Sequence, residues 1–345
     1  MIQSNPAHSI SVVMSVYNGE KYLREAVESI LAQSYRFSEF IIVNDATSDS
    51  SLEILESYRK KDRRITIINN PHNLGLGASL KEAIARAQGE FIARMDADDI
   101  SAPDRFQKQV EYLEAHGEIL VLGGKCKKIG EPEDGDIHFP VPKDPDLMRW
   151  NMLLGCGLIV HHGSVMIRRS LFDLIGPYSD ARAAQDFELW TRLFAYDPLP
   201  IANLDEVIYH YRVHEQMVSR SQQSLQERNV MQIRKNKIEE FIGHAIPSEL
   251  VPAYRHPGYA YIDIRNCVLT WIEVFEKLVK AFPLRKEMRL TICKELMHTV
   301  SKYVYFIPMS SRKGRVSLFK IIFSIPFAYT PYLLIQKMQY FWEKP

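Results

Sequence analysis

The sequence predicts an α/β protein: a parallel sheet wound by right-handed crossovers, followed by a helical region. Three observations predict it. Short β-branched runs alternate with helical periodicities up to about residue 123. A polar cluster follows each of the first four strand runs. Strand signals fade from about residue 225, where long helical patterns take over. Strand–helix alternation at this spacing builds right-handed βαβ units.

Each element follows from its residues. ISVVM at 10–14 reads as a strand buried on both faces. After Tyr17-Asn18-Gly19, the residues Tyr22, Leu23, Ala26, Val27, Ile30 and Leu31 recur at three and four, the spacing of a helix face. FIIV at 40–43 is a second strand. Asp49 or Ser50 caps the next helix, whose apolar face is Leu52, Leu55 and Tyr58. ITII at 65–68 is a third strand. A helix over 78–88 carries Leu80, Ala83, Ile84 and Ala87 on one side, with Gly89 as its stop. FIARM at 91–95 is a fourth strand, entering Asp96-Ala97-Asp98-Asp99. Pro103 opens a helix bearing Phe106, Val110 and Leu113 that ends at Gly117, and ILVL at 119–122 is the next strand. Helices are expected over 226–242, 259–281 and 284–306, broken at Pro247, Pro252, Pro257 and Pro283.

The 345 residues are 46% hydrophobic and 25% charged, which excludes disordered and low-complexity chains. A formal net charge of +1 gives no global attraction to nucleic acid. Its distribution is uneven, because residues 215–345 carry 20 Lys and Arg against 11 Asp and Glu. An acidic front and a basic rear argue for two different jobs. Four widely spaced cysteines without a C-x-x-C pair favour neither a disulfide framework nor a zinc site, and suit a reducing compartment. No basic leader with a long apolar core opens the chain, so a cytoplasmic location is expected. The most apolar stretch, 321–336, contains Pro326 and Pro331 and falls short of the roughly 20 residues a spanning helix needs.

Ligands of such sheets bind beyond the carboxyl ends of the strands. The polar clusters Ser15 to Asn18, Asn44-Asp45, Asn73 to Gly75 and Asp96 to Asp99 fall at those ends, so four loops converge on one edge. No G-x-G-x-x-G follows the first strand and no P-loop pattern occurs, which leaves dinucleotide and P-loop chemistry without support. Asp45, Asp96, Asp98 and Asp99 crowding one edge would repel one another unless a cation sat among them. Hard oxygen donors without thiolate suggest Mg²⁺ or Mn²⁺, shared with a diphosphate.

The runs VVMSVYNGEKYLREAVESILAQS, FIIVNDATSDSS, NPHNLGLGASLKEAI, GEFIARMDADDISAPDRFQKQV and AQDFELWTRL resemble family 2 glycosyltransferases with the GT-A fold, over roughly residues 9–215. The likeness is to bacterial enzymes that build capsular, exopolysaccharide or lipopolysaccharide chains. It implies a Rossmann-like mixed, mainly parallel sheet with helices on both faces, and inverting transfer from a nucleotide sugar. Val16, Tyr17, Asn18 and Glu20 match the first-strand loop that packs against the nucleoside, and Ser15 stands there in place of a common proline. Asp45 matches the carboxylate that receives the base's imide N–H, and Asn73 and Gly75 match the loop flanking base and ribose. Asp96 and Asp98 match the DxD pair, the first on ribose or metal and the second on the metal. Asp186 matches the general base, and His214 resembles a histidine that contacts the metal or diphosphate.

Two further departures from the family pattern stand out. Asn44 replaces the first acid of the usual Asp-Asp, and Gln185 replaces the glutamate before the base. Each candidate also has a plainer reading. Asp96 to Asp99 is also a polar strand-to-turn connection, Asp186 a helix N-cap, and His214 a hydrogen-bonded surface group beside Tyr209, Tyr211 and Arg212. His162 is a candidate sugar or phosphate contact with a structural role standing beside it. Arg94 is placed to meet either a diphosphate or a neighbouring carboxylate.

The organisation expected is a catalytic domain over 1–220, with a nucleotide-sugar half at about 9–123 and an acceptor half at about 124–220, then a helical region over 221–345. Residues 301–345 hold seven Lys and Arg, one acid and many aromatics. Such a segment reads as lying on an anionic membrane face, or as a tail packed on protein. The function expected is transfer of a hexose or N-acetylhexosamine, a UDP-sugar being the first choice of donor, to a growing lipid-linked glycan on the inner face of the membrane. The rivals are a nucleotidyltransferase on a similar edge, and an inactive membrane-associated scaffold.

Overall fold

A computed structural model describes residues 8–130, 138–155, 157–180, 183–214, 217, 223–255 and 264–306. The chain divides into two compact units, one of Met1–Pro145 with Leu158–Asn229 and one of Asp146–Gly157 with Val230–Pro345.

The first unit holds a nine-stranded sheet. Its strands are β1 (Ile10–Val16), β2 (Glu39–Asn44), β3 (Ile65–Asn69), β4 (Phe91–Asp96), β5 (Ile100–Ser101), β6 (Val121–Gly130), β7 (His138–Phe139), β8 (Met166–Arg168) and β9 (Ile201–Val213). The order is β3-β2-β1-β4-β8-β6-β9-β5, with β7 beside β6. β3, β2, β1 and β4 run parallel, as the alternation predicts, and β6 runs parallel to β9. β8 is antiparallel to both β4 and β6, which makes the sheet mixed.

Even-numbered β1 residues Ile10, Val12, Met14 and Val16 enter one core with helices α1 (Leu23–Leu31), α2 (Ser51–Arg59) and α4 (Arg105–Ala115). Helix α3 (Leu76–Arg86) packs on β1 and β2 outside that core, burying Leu80, Ala83 and Ile84, so helices cover both faces. The α2 face differs slightly from the expected one: Ile54 is buried and Leu52 only half-buried. The Asp49 carboxylate accepts the Ser51 N–H at 3.0 Å, whereas the Ser50 hydroxyl makes no capping bond.

Gly89 acts otherwise than as a left-handed stop. Helix α3 ends at Ala87 in extended backbone, and a Cβ on Gly89 would lie 2.5 Å from the Ser11 nitrogen. Only glycine allows the chain to pass that close to β1.

Short helices α5 (Pro145–Leu153), α6 (Ser170–Ile175) and α7 (Gln185–Thr191) follow, then α8 (Gln223–Ile242), α9 (Leu250–Arg255), α10 (Ile264–Ala281) and α11 (Lys286–Phe306). Pro252 does not break the chain as expected. It sits in the first turn of α9, where its missing N–H has no helical acceptor to lose. The second unit packs Trp150, Tyr254, Trp271 and Phe275 edge to face, with centroids 5.3–6.3 Å apart. Cys126 and Cys293 are buried free thiols, and Cys267 is buried. No helix among the described residues is long and apolar enough to cross a membrane. Cys156 and the basic, aromatic segment after 306 lie outside the described residues.

Candidate active site

Strand register assembles the site's floor. Ser15 is level with Asp96, Val16 with Asn44, and Asn44 with Asn69, so four strands end together and their loops share one edge. The loop after β1 is laced to the loop after β2. Asn18, at a left-handed φ of 50°, accepts the Ser48 N–H at 2.8 Å. Glu20 accepts the Ser50 N–H at 2.9 Å and donates its own N–H to Asp49 at 3.0 Å. Asn18 and Glu20 thus spend their side chains on loop shape, while Val16 is buried beneath and Tyr17 stands 55% exposed.

Asp45 is buried, and its carboxylate organises the third loop. Oδ1 accepts from Asn70 Nδ2 at 2.7 Å and the Leu74 N–H at 2.9 Å, and Oδ2 accepts the Gly75 N–H at 2.9 Å. Gly75 takes φ 88°, a conformation that favours glycine, and starts α3. Asn73 is half-buried in the loop so held. Asn44, where the family carries an acid, ties the ends of β2 and β3 together through Asn69 Oδ1 at 2.9 Å.

The acids after β4 have separate surroundings. Asp96 forms a two-pronged ion pair with the guanidinium of buried Arg94, and donates its N–H to the Tyr209 hydroxyl at 3.1 Å. Of Arg94's two readings, the carboxylate partner is the one realised. Burial opposes its charge, but Asp96 holds the guanidinium above its ordinary range. Asp98 Oδ2 lies 2.9 Å from His214 Nε2. Burial and the Asp96 charge raise the Asp98 carboxyl, and His214 pulls it back. Asp99 is buried, accepts the Arg212 N–H at 2.7 Å, and is pushed well up by burial and by both neighbouring acids.

Among the described residues no three His, Cys, Asp or Glu side chains are gathered for a metal ion. Asp98 and His214, here joined by a hydrogen bond, are also spaced as two neighbouring ligands of one ion that replaced that bond. Neighbouring ligands of an octahedral ion, each at about 2.1 Å, lie about 3 Å apart, and Oδ2 and Nε2 stand at 2.9 Å. Mg²⁺-type ions take one or two side chains and complete their shell with phosphates and water. Asp96, turned onto Arg94, is not free for the ion in this arrangement.

A second group adjoins this one. His162 Nε2 is 2.8 Å from the hydroxyl of buried Tyr178, with the Trp190 ring centroid 6.1 Å away. Burial and the Arg94 charge hold His162 well below its ordinary range, hence neutral. Asp186 lies in the first turn of α7 rather than at its N-cap, which is Ala184, and α7 has no side-chain cap. Burial raises its carboxyl. The Phe187 N–H and the Arg94 charge lower it, and the Asp96 charge raises it further. Asp186 therefore lies in the electrostatic field of both Arg94 and Asp96.

Tyr178, Tyr209 and Arg212 carried no motif of their own. The one available signal was period two on a strand, which puts Arg212 on the same side as His214.

A sheet that presents a cluster of carboxylates beyond the carboxyl ends of its parallel strands defines an α/β scaffold that receives its ligand at that edge. Comparisons with known proteins sharpen this. The model of Glycosyl transferase family 2 matches residues 11–176. The Bacillus subtilis protein EpsE, which bears a glycosyltransferase name, is 35% identical over 60% of this chain and 74% of its own length. The amylovoran biosynthesis glycosyltransferase AmsE of Erwinia amylovora is 29% identical over 61% of this chain and 78% of its own. Among solved structures, S. aureus TarS 1-349 in complex with UDP-GlcNAc superposes with a TM-score of 0.56 at 18% identity, covering 96% of this chain and 92% of that one. The mannosyltransferase PcManGT from Pyrobaculum calidifontis, in complex with GDP-Man and Mn²⁺, gives 0.51 at 16% identity, covering 98% and 88%. The chain belongs to glycosyltransferase family 2, with the GT-A fold expected from its sequence, and is a glycosyltransferase.

Proposed function

We propose that this protein is an inverting enzyme that moves a hexose or N-acetylhexosamine from a nucleotide sugar, a UDP-sugar first, to a growing lipid-linked surface glycan. The observation that carries the reading is the convergence of the β1, β2 and β4 loops on one edge with Asp98 2.9 Å from His214, joined by the charges of Arg94 and Asp96 that act on Asp186. It supports a proton acceptor on the same edge as the acids after β4. The UDP-GlcNAc and GDP-Man complexes of the fold relatives support a nucleotide-sugar donor, and the amylovoran relative supports a surface glycan as product.

On this reading the loops carrying Tyr17, Asp45, Asn73 and Gly75 receive the nucleoside. Asp98 and His214 hold a Mg²⁺ or Mn²⁺, which supplies electrostatic stabilisation of the diphosphate as it leaves. Asp186 accepts the proton of the attacking sugar hydroxyl, a contribution of about 10²–10⁴-fold. Attack from the face opposite the leaving group inverts the anomeric centre and needs no enzyme nucleophile. Neutral His162, oriented by Tyr178, offers a hydrogen-bonding edge to the acceptor. The catalytic role of 1–220, the helical role of 221–345 and attachment through the basic tail to the inner face of the membrane belong to the same proposal.

The test is a panel of nucleotide sugars assayed for hydrolysis with Mn²⁺, with Mg²⁺ and with EDTA. Hydrolysis of one donor that needs the ion and disappears in Asp98→Ala is expected. Hydrolysis that survives both treatments, or pyrophosphate release from a nucleoside triphosphate, would overturn the reading.

A further inference from the structure

The end of β9 grips the turn that carries Asp98 at more than one point. The Arg212 N–H donates to Asp99 Oδ1 at 2.7 Å. Its side-chain Nε donates to the main-chain carbonyl of Asp98 at 2.8 Å, and Nη2 donates to Glu25 on α1 at 2.6 Å. The guanidinium also lies 4.5 Å from the centroid of the Tyr22 ring. Two residues on, His214 meets the Asp98 carboxylate at 2.9 Å, and its own ring stands 5.0 Å from Tyr22. Asp98 is thus held by its main chain through Arg212 and by its side chain through His214. A guanidinium suits this task because its planar fork reaches a carbonyl and a carboxylate together, and its face rests on an aromatic ring.

We propose that Arg212 is a positioning residue for the cation site: it fixes the main chain of Asp98 so that Asp98 and His214 address one divalent ion together. The inference rests on the functional reading above, in which that pair holds the ion. A merely structural Arg212 would tie β9 to α1, and its loss would lower the melting temperature and leave ion affinity alone.

The two are separated by measuring Mn²⁺ uptake on the full-length chain with UDP or GDP present, from the electron paramagnetic resonance signal of free Mn²⁺, alongside thermal melts. Arg212→Met is expected to weaken Mn²⁺ by about 10–100-fold, the usual cost of losing a partner that orients a ligand. Arg212→Lys, which keeps the charge but not the fork, should fall between Arg212→Met and wild type. Glu25→Gln, which loosens the guanidinium from outside, should weaken Mn²⁺ less than Arg212→Met. Mn²⁺ affinity within about twofold of wild type in folded Arg212→Met overturns the inference. Should Arg212→Met not fold, wild-type affinity in both Arg212→Lys and Glu25→Gln overturns it equally. A wild-type chain that takes up no Mn²⁺ with either nucleotide is a different result, and sinks the metal-assisted reading itself.

Discussion

Replacing Asp45 tests whether its carboxylate builds the nucleoside loop. The side chain is 2% exposed and accepts hydrogen bonds at 2.7, 2.9 and 2.9 Å from Asn70, Leu74 and Gly75. Hydrogen bonds to a charged group contribute about 1.5–3 kcal/mol each, and donors left unpaired add a desolvation cost. The three donors share one acceptor and sit beside an exposed loop, where water reaches some of them once it is gone. The losses therefore do not add fully, and Asp45→Ala should cost about 3–5 kcal/mol in all. Asp45→Asn keeps one acceptor oxygen but sets an NH₂ against a main-chain N–H, and should cost about 2–3 kcal/mol. For a unit of this size, each kcal/mol lowers the melting temperature by about 2–4 °C. Drops of about 6–20 °C for Ala and 4–12 °C for Asn follow, measured by circular dichroism, together with loss of UDP binding by calorimetry. A melting temperature within about 2 °C of wild type for Asp45→Ala would refute the reasoning, because a buried acceptor of three bonds cannot be removed without cost.

Four further outcomes are expected. Asp186→Asn should lower transfer by about 10²–10⁴-fold with little change in donor binding. In the wild type kcat/KM should fall as pH drops through the Asp186 pKa, which lies above the usual 3.8 because burial favours the neutral acid; a profile flat down to pH 4 would remove it as the base. His161, packed on Tyr209 and Tyr211, is depressed to about 4 by burial. The unfolded chain takes up its proton near pH 6.5 and the folded chain does not, so stability should decline between about pH 6.5 and 4, by up to about 3 kcal/mol. His161→Phe should flatten that decline in urea melts run across the interval. Gly89→Ala drives a Cβ to 2.5 Å from the Ser11 nitrogen, so it should cost about 1–3 kcal/mol. A melting temperature within about 2 °C of wild type would show that the chain yields at this contact and would refute the close-approach reading.

Much of the site's polarity was legible as motifs at strand ends, because a parallel sheet brings every strand's carboxyl end to one edge. The partners of those motifs were not. Nothing local distinguishes an Asp96 bound to a buried arginine from one open to an ion, and the pairing with Arg94 spans only two residues of the strand. Asp98 and His214 are 116 residues apart and meet only because β5 pairs with β9, placing Ile100 opposite His210. Strand β9 itself mixes charged, polar and aromatic residues, so its 13 residues gave no clean apolar run to read. Pro252 shows the reverse error, since a proline breaks a helix interior but not a first turn, and only the backbone distinguishes the two.

Residue type and period alone determined the alternating elements, the acidic edge and the family, since periodicity and motif spacing are local properties of a chain. The tertiary structure decided that Arg94 neutralises Asp96, that His214 reaches Asp98 instead, and which charges act on Asp186. Those are matters of distance and burial, and a linear order of residues contains neither.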